Sequence, residues 1–368
     1  VALIEAGGKD RYPWIHIPVG YFKTMGNPKT DWCYKTQPDP GLNGRSINWP
    51  RGKVLGGSSS INGLLYVRGQ PQDFDHWRQL GNTGWSWDEV MPLFKRAENW
   101  EGKSSLNRGQ GGPLNVSENN VNREVIDAWV EAAVTAGYKR TDDYNLEDQE
   151  GAGFFQMTIK NGQRCSAAVA YLKPIRGRKN LHVITHAHTE KIKFKGKRAV
   201  SAVVRVHGKQ QQIRARREII ISAGAIGSPQ ILMLSGIGDQ NDLTKHGIIS
   251  THHLPGVGKN LQDHLQARPI YKCNASTINT ETKSPLQLVL IGLEYALKRS
   301  GPMAMAASLG TAFLKSRPEL ETPDIQFHLQ PFSADNLADG SHAFSAFTAS
   351  VLQLRPESRG HLKLSSAN

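Results

Sequence analysis

Residues 51–63 read Arg51-Gly52-Lys53-Val54-Leu55-Gly56-Gly57-Ser58-Ser59-Ser60-Ile61-Asn62-Gly63. Adjacent glycines let the backbone approach a ligand closely, since no Cβ intervenes. Three serines and an asparagine add donors, and the amides of such a turn can cradle a pyrophosphate. A Gly/Ser loop alone is a weak signal. Its setting gives it weight: Val54-Leu55 precede it, and Ile61 and Leu64-Leu65 follow within or just after it. A solvated linker is not bracketed by core-forming residues.

A second segment runs Ser222-Ala223-Gly224-Ala225-Ile226-Gly227-Ser228-Pro229-Gln230-Ile231-Leu232-Met233-Leu234-Ser235-Gly236-Ile237-Gly238. Apolar residues 218–224 read as a strand ending in small residues, and Ser228-Pro229 start a helix with Pro in its first position. In doubly wound sheets a dinucleotide binds at such carboxyl ends of strands. Tight strand–helix packing without a ligand reads equally well from this segment. A third element, Val1-Ala2-Leu3-Ile4, is a continuous apolar run ending in Glu5-Ala6-Gly7-Gly8, the pattern of a buried parallel strand. An acid there accepts hydrogen bonds from an adenosine ribose when it follows a G-x-G-x-x-G loop. That glycine fingerprint does not precede it here. The chain opens on Val1, and residues 362–364 look like a strand cut at residues 365–368, so the sequence is expected to be a fragment of a longer protein.

Between these segments, residues 9–50 read as extended loop. A helix over residues 87–99 has Ser86 as cap and Glu89 at capping-box spacing, residues 101–120 are a polar loop, and residues 124–136 are an amphipathic helix stopped by Gly137. Residues 181–184, 191–194, 199–204 and Ile213 read as strands with turns at Gly196 and Gly208. A helix over 286–298 and strands over 324–330 and 347–354 follow. Strands alternating with helices, with an antiparallel portion inserted, predict an α/β cofactor domain carrying a second, mixed domain.

Composition narrows the function. The 368 residues contain 36 Gly, 19 Pro and only three Cys, which excludes a disordered tail and a disulfide framework. The formal charge is +13, but the basic residues are dispersed, so solvated surface is favoured over a nucleic-acid groove. The longest apolar candidate, residues 286–297, is too short to span a bilayer and carries Glu294. His182, His186 and His188 would share one strand face, but no further metal-binding spacing accompanies them. His264, His328 and His361 read as structural.

Together the three segments resemble the glucose–methanol–choline (GMC) oxidoreductases. Gly52 through Asn62 match the family's first signature, and Gly224 through Gly238 its second. Asp73-Phe74-Asp75-His76-Trp77, Gly84-Trp85, Val257-Gly258-Lys259-Asn260-Leu261-Gln262-Asp263-His264 and Leu354-Arg355-Pro356-Glu357-Ser358-Arg359-Gly360 are family-like context. The general look is that of the bacterial choline and alcohol dehydrogenase branch. The resemblance covers essentially the whole chain. It implies an α/β fold: an FAD-binding, doubly wound, Rossmann-like domain (residues 1–115 and 181–265), a mixed segment (116–180) and a truncated α+β substrate domain (266–368).

The implied activity is FAD-dependent oxidation of a choline-like or aliphatic primary alcohol to the aldehyde, with hydride passing to the flavin and a quinone or O2 as acceptor. The partner is a small-molecule alcohol, with no nucleic acid. By the same resemblance Glu5 holds the adenosine ribose. Val54, Gly56, Gly57, Ser58, Asn62, Gly63, Leu64 and Leu65 line the flavin and diphosphate, and Thr189 and Ala223 lie at the adenine end. Ile61 stands where some relatives have a flavin-linked His, so noncovalent FAD is expected. The family's catalytic His lies beyond Asn368, which leaves no catalytic residue, and no metal ligand, to assign. The chain alone is therefore expected to lack turnover. A hydroxynitrile-lyase-type activity on the same fold is the alternative, with nucleic-acid binding behind it. A cytoplasmic location is expected, with peripheral attachment at the inner membrane as its variant.

Overall fold

The opening apolar run forms the strand Ala2–Ile4, which pairs in parallel with His182–Ile184 so that Leu3 lies opposite Val183. It was located in a computed structural model that describes residues 1–335 and 340–367. A three-stranded antiparallel sheet follows, Ala187–Lys195, Arg198–Val206 and Lys209–Arg214, with its turns at Gly196 and Gly208 in left-handed conformation. Alternation along these strands buries Ile192, Ala202 and Val204 on one face. Ile4, Ile219, Ile221 and Ile231 cover that face.

The predicted strand over 218–224 does not form: residues 218–223 join no ladder, Ile219 and Ile221 are half-buried against the neighbouring sheet face, and Ile220 is exposed. The helix begins earlier than expected, at Gly224–Leu234, with Pro229 inside it rather than at its start. The carbonyl that Pro229 leaves without a partner belongs to Ala225, which is exposed and open to water. Residues 362–364 are not a strand either; Leu362 donates its N–H to the Gly258 carbonyl instead. Asn368 lies outside the described residues.

The second sheet is antiparallel. Ala346–Gln353 is flanked on one side by Gln266–Ala267 and Ile270–Lys272, and on the other by Ile325–Gln330, Gly310–Leu314 and Gly151–Phe154 in turn. The helix Glu124–Thr135 lies on one face, where Val130 meets Ala152, Ala312 and Leu314. Two of these strands, Gly-Thr-Ala-Phe-Leu and Gly-Ala-Gly-Phe, carry little β-branched signal and were not expected from sequence.

The supposed loops hold short elements. Pro13–His16 and Tyr21–Thr24 are single helical turns within residues 9–50. Leu114–Val116, inside the expected polar loop, pairs in parallel with Glu98–Trp100. The capped helix is Trp87–Ala97, its Glu89 carboxylate accepting from the Ser86 N–H and hydroxyl. It ends before Asn99 because Glu98 enters that strand pair.

Glu98 is fully buried and balanced. Its carboxylate accepts from Arg68 Nη2 at 2.7 Å, Arg108 Nη2 at 2.8 Å and the Gly109 N–H at 2.8 Å. Arg108 also pairs with Asp143 at 2.9 Å and stacks 3.8 Å from the Trp100 ring. Removing one member of such a network strands a buried charge. Glu98→Ala is expected to cost about 3–5 kcal/mol of stability, read as a lower urea midpoint in equilibrium unfolding.

Candidate functional site

The first strand delivers its end to the Gly/Ser loop. Gly8 forms a parallel bridge with Val54, and its carbonyl accepts the Leu55 N–H at 3.0 Å. The backbones touch at Gly7, where a Cβ would lie 1.9 Å from the Lys53 carbonyl oxygen. Gly52 is equally tight: a Cβ there would fall 2.2 Å from the Gly57 carbonyl. Gly56 and Gly57 both take left-handed φ, and a Cβ on Gly57 would meet nothing within 4 Å.

Residues Gly57–Ser60 make a short 3₁₀ turn held from within. Ser58 Oγ accepts the Gly52 N–H, while the Ser59 and Ser60 hydroxyls donate to the Gly56 and Leu55 carbonyls. Ser58 and Asn62 remain exposed, whereas Val54 and Leu64 are buried and Leu65 is half-buried. Gly63 packs against Ala307, leaving no room for a side chain. Leu64 is a buried non-glycine at φ 67°. That conformation costs roughly 1–2 kcal/mol, and its N–H is held by Asn62 Oδ1 at 3.2 Å.

Glu5 sits at the end of the parallel strand, with Oε1 accepting the Gly7 N–H at 2.7 Å. Burial raises its carboxyl above the usual range, and the Gly7 N–H partly offsets this. Thr189 lies in the strand Ala187–Lys195 opposite Val204, beside an irregularity in the pairing. Trp32 links these regions: Lys53 Nζ lies 4.7 Å from its ring, and His188, next to Thr189, packs edge-on at 5.7 Å. Ala223 is exposed at the start of the second segment's helix, its N–H donating to Ser228 Oγ. Glu5, Gly7 and the loop are thus joined through direct contacts, and Trp32 reaches the Thr189 strand at His188. The Ala223 segment is joined to them through Ile4 and the isoleucine cluster.

Three residues that sequence did not single out organise the loop. Asp31 is buried, and its carboxylate accepts the N–H groups of Gly26, Cys33 and Arg51. Trp32 forms the link just described. Arg164 is 2% exposed and donates Nε to the Ile15 carbonyl at 2.8 Å. Its Nη1 reaches Asn62 Oδ1 at 2.7 Å and the Ser59 carbonyl at 3.1 Å. Burial pushes its pKa down to about 9. A lone buried Arg has no sequence signature.

The histidine expectation needs correction. His186 takes a left-handed φ between two strands, so His182, His186 and His188 do not share one strand face. Among the described residues no His, Cys, Asp or Glu cluster is placed to hold a metal ion. The cysteines are free, with Cys165 buried. Among the described residues no helix is long and apolar enough to cross a membrane. A cleft of about 620 Å³ opens between residues 120–123 and the helix Pro285–Lys298, and none of the candidate cofactor residues lines it. On the second sheet Thr311, His328 and Ser350 stand directly opposite one another across three strands. His328 Nε2 and Ser350 Oγ are shut off from solvent without a hydrogen-bond partner. Burial, with a smaller effect of His264, pushes the His328 pKa down to about 4.

Known proteins share this architecture. The sequence profile of the GMC oxidoreductase family matches residues 6–266. Human mitochondrial choline dehydrogenase is 41% identical over 100% of this chain, which spans 63% of that relative's length. The oxygen-dependent choline dehydrogenase of Brucella ovis is 42% identical over the whole chain and 67% of its own. Among solved structures, pyridoxine 4-oxidase from Mesorbium loti superposes with a TM-score of 0.86 at 29% identity, covering 100% of this chain and 69% of that one.

Gly7→Ala is expected to destabilise by about 3 kcal/mol, since rigid backbone must move. Gly57→Ala, facing open space, should cost only roughly 1–2 kcal/mol for its left-handed φ; urea titration of both variants separates the two cases. His328 contributes a pH effect of definite sign. Its folded pKa lies below the ordinary 6.5, so the unfolded chain binds the proton first, and stability present above that value is lost as pH falls toward 4. The loss from this residue reaches about 3 kcal/mol at most. His328→Asn should flatten the fall in unfolding free energy between pH 7 and pH 4.5.

Proposed function

The chain belongs to the GMC oxidoreductase family, and from that premise we propose that the protein oxidises an alcohol with FAD. The observation that carries the reading is the junction of Glu5, Gly7 and the Gly52–Asn62 backbone at the end of a parallel strand. At Gly7 and Gly52 the protein's own backbones touch where a Cβ would lie, and Gly57 faces open space. These features fit a flavin nucleotide: an acid for a ribose, exposed donors on Ser58 and Asn62, and open glycine backbone at Gly57.

When bound, FAD supplies the acceptor for the hydride leaving the carbinol carbon. The chain's own residues bind and orient. Glu5 holds the adenosine ribose. Val54, Gly56, Gly57, Ser58, Asn62, Gly63, Leu64 and Leu65 form the bed for the diphosphate and flavin, and Thr189 and Ala223 flank the adenine. We assign residues 1–115 and 181–265 to the cofactor domain, 116–180 to a mixed segment, and 266–368 to the substrate side. No residue of this chain is given the role of the base that takes the alcohol proton.

The substrate class we favour is a choline-like or aliphatic primary alcohol, supported by the names of the two choline dehydrogenases. That the Brucella relative is named oxygen-dependent supports O2 as acceptor, with a quinone as the other option. We further propose noncovalent attachment. Ile61, at the position where some family members carry a flavin-linked His, offers no nucleophile and is 2% exposed against Ile15 and Val54.

Residues 1–368 alone, with no base assigned among them, are expected to lack turnover. In a protein that also carries the segment supplying the base, choline or a primary alcohol added anaerobically to the FAD-loaded form is expected to bleach the flavin absorbance, and acid treatment should release all flavin from the polypeptide. An unbleached flavin in that longer protein would remove the alcohol-oxidation reading. Rapid bleaching by residues 1–368 alone would remove the expectation of inactivity, and flavin that stays with the precipitated protein would remove noncovalent attachment.

A further inference from the structure

Arg164 is a buried cation with no carboxylate partner among the described residues. Its guanidinium is 2% exposed, yet among the described residues no carboxylate forms an ion pair with it. Its hydrogen-bond partners are three neutral oxygens: the carbonyls of Ile15 and Ser59, and Asn62 Oδ1. Nη2 is buried and donates to nothing. The contrast within this molecule is direct. The other two fully buried arginines, Arg68 and Arg108, share the Glu98 carboxylate, and Arg108 has Asp143 as well. A buried charge left unpaired is strongly unfavourable, so Arg164 calls for an anion that the described residues do not supply.

Its position says which anion. Two of its three contacts are to the Gly/Ser loop, at Ser59 and Asn62. The segment it belongs to is clasped by the same loop: Ser59 Oγ accepts the Ala167 N–H at 2.8 Å, and a Cβ on Gly56 would press on Ala168. We propose that Arg164 is the counter-charge for an anionic group of the flavin nucleotide seated on residues 52–65, acting from beneath the loop. The inference rests on the FAD reading above and assigns to that site a residue outside the loop. Arg164 acts partly through Ser59 and Asn62, as a positioning residue whose charge adds to the loop's amide donors.

Fluorescence titration of stripped protein with FAD tests it, with Arg164→Gln to remove the charge while keeping donors and Arg164→Lys to keep the charge. Arg164→Gln is expected to weaken FAD binding by about tenfold or more, while Arg164→Lys stays within about threefold of the unsubstituted protein. Thermal melts with and without FAD should show the cofactor-induced shift shrinking in the Gln variant and persisting in the Lys variant. Titrations with ADP and with riboflavin locate the anion. Weakening shared by FAD and ADP, with riboflavin binding unchanged, assigns the charge to the diphosphate and supports the proposal; an equal weakening of riboflavin, which carries no anion when oxidised, overturns it. Unchanged FAD affinity in Arg164→Gln, or an equal loss in Arg164→Lys, overturns it. If Arg164→Gln does not fold, the Lys variant decides alone by the same thresholds. An unsubstituted protein that takes up no FAD would sink the flavin reading itself and this inference with it.

Discussion

The contact between the backbone at Gly7 and the backbone at Lys53-Val54 sets the rest of the site. Two chain segments lie so close there that neither could carry a side chain into the gap. The parallel bridge from Gly8 to Val54 then fixes where the Gly/Ser loop begins. Once the loop starts at that point, its internal hydroxyl–carbonyl bonds and the strained Leu64 determine where it ends. Glu5, two residues before Gly7 on the same strand, is carried to the loop by that contact. Strain of this kind persists only where surrounding structure over-determines it, and it clusters at ligand sites.

Charge is handled in two ways in this protein. The Glu98 network encloses its charges and satisfies them with partners on three separate segments, so it acts as a clasp for the region between Arg68 and Asp143. Arg164 is enclosed just as fully but is answered only by neutral oxygens. The first arrangement is complete within the polypeptide. The second has no carboxylate among the described residues, and it lies against the loop that we propose holds a flavin nucleotide. The neutral, buried His328 on the second sheet shows a third outcome, in which burial removes the charge instead of pairing it.

Legibility in the sequence followed the strength of local signals. The helix Trp87–Ala97 was readable from Ser86 and Glu89, because capping acts over three residues. The hairpins around Gly196 and Gly208 were readable from alternation and from glycines at left-handed turns. Gly310–Leu314 and Gly151–Phe154 were not, because their strand character comes from neighbours on both sides rather than from their own composition. The isoleucines at 219–221 misled in the opposite direction. Ile219 and Ile221 cover a sheet face instead of pairing in one, and Ile220 is exposed.

By itself the sequence determined the family, the mixed α/β class and the Gly/Ser loop as the place to look, since those rest on residue order and on glycine's missing Cβ. Tertiary structure alone decided that backbones touch at Gly7 and Gly52, that Trp32 bridges Lys53 to the Thr189 strand, and that Arg164, beneath the loop, has no carboxylate partner among the described residues. The reason is physical. Close backbone approach and charge compensation depend on which distant segments meet, and Arg164 lies more than a hundred positions from the Ser59 and Asn62 it holds. No local pattern can encode whether a buried charge finds its partner.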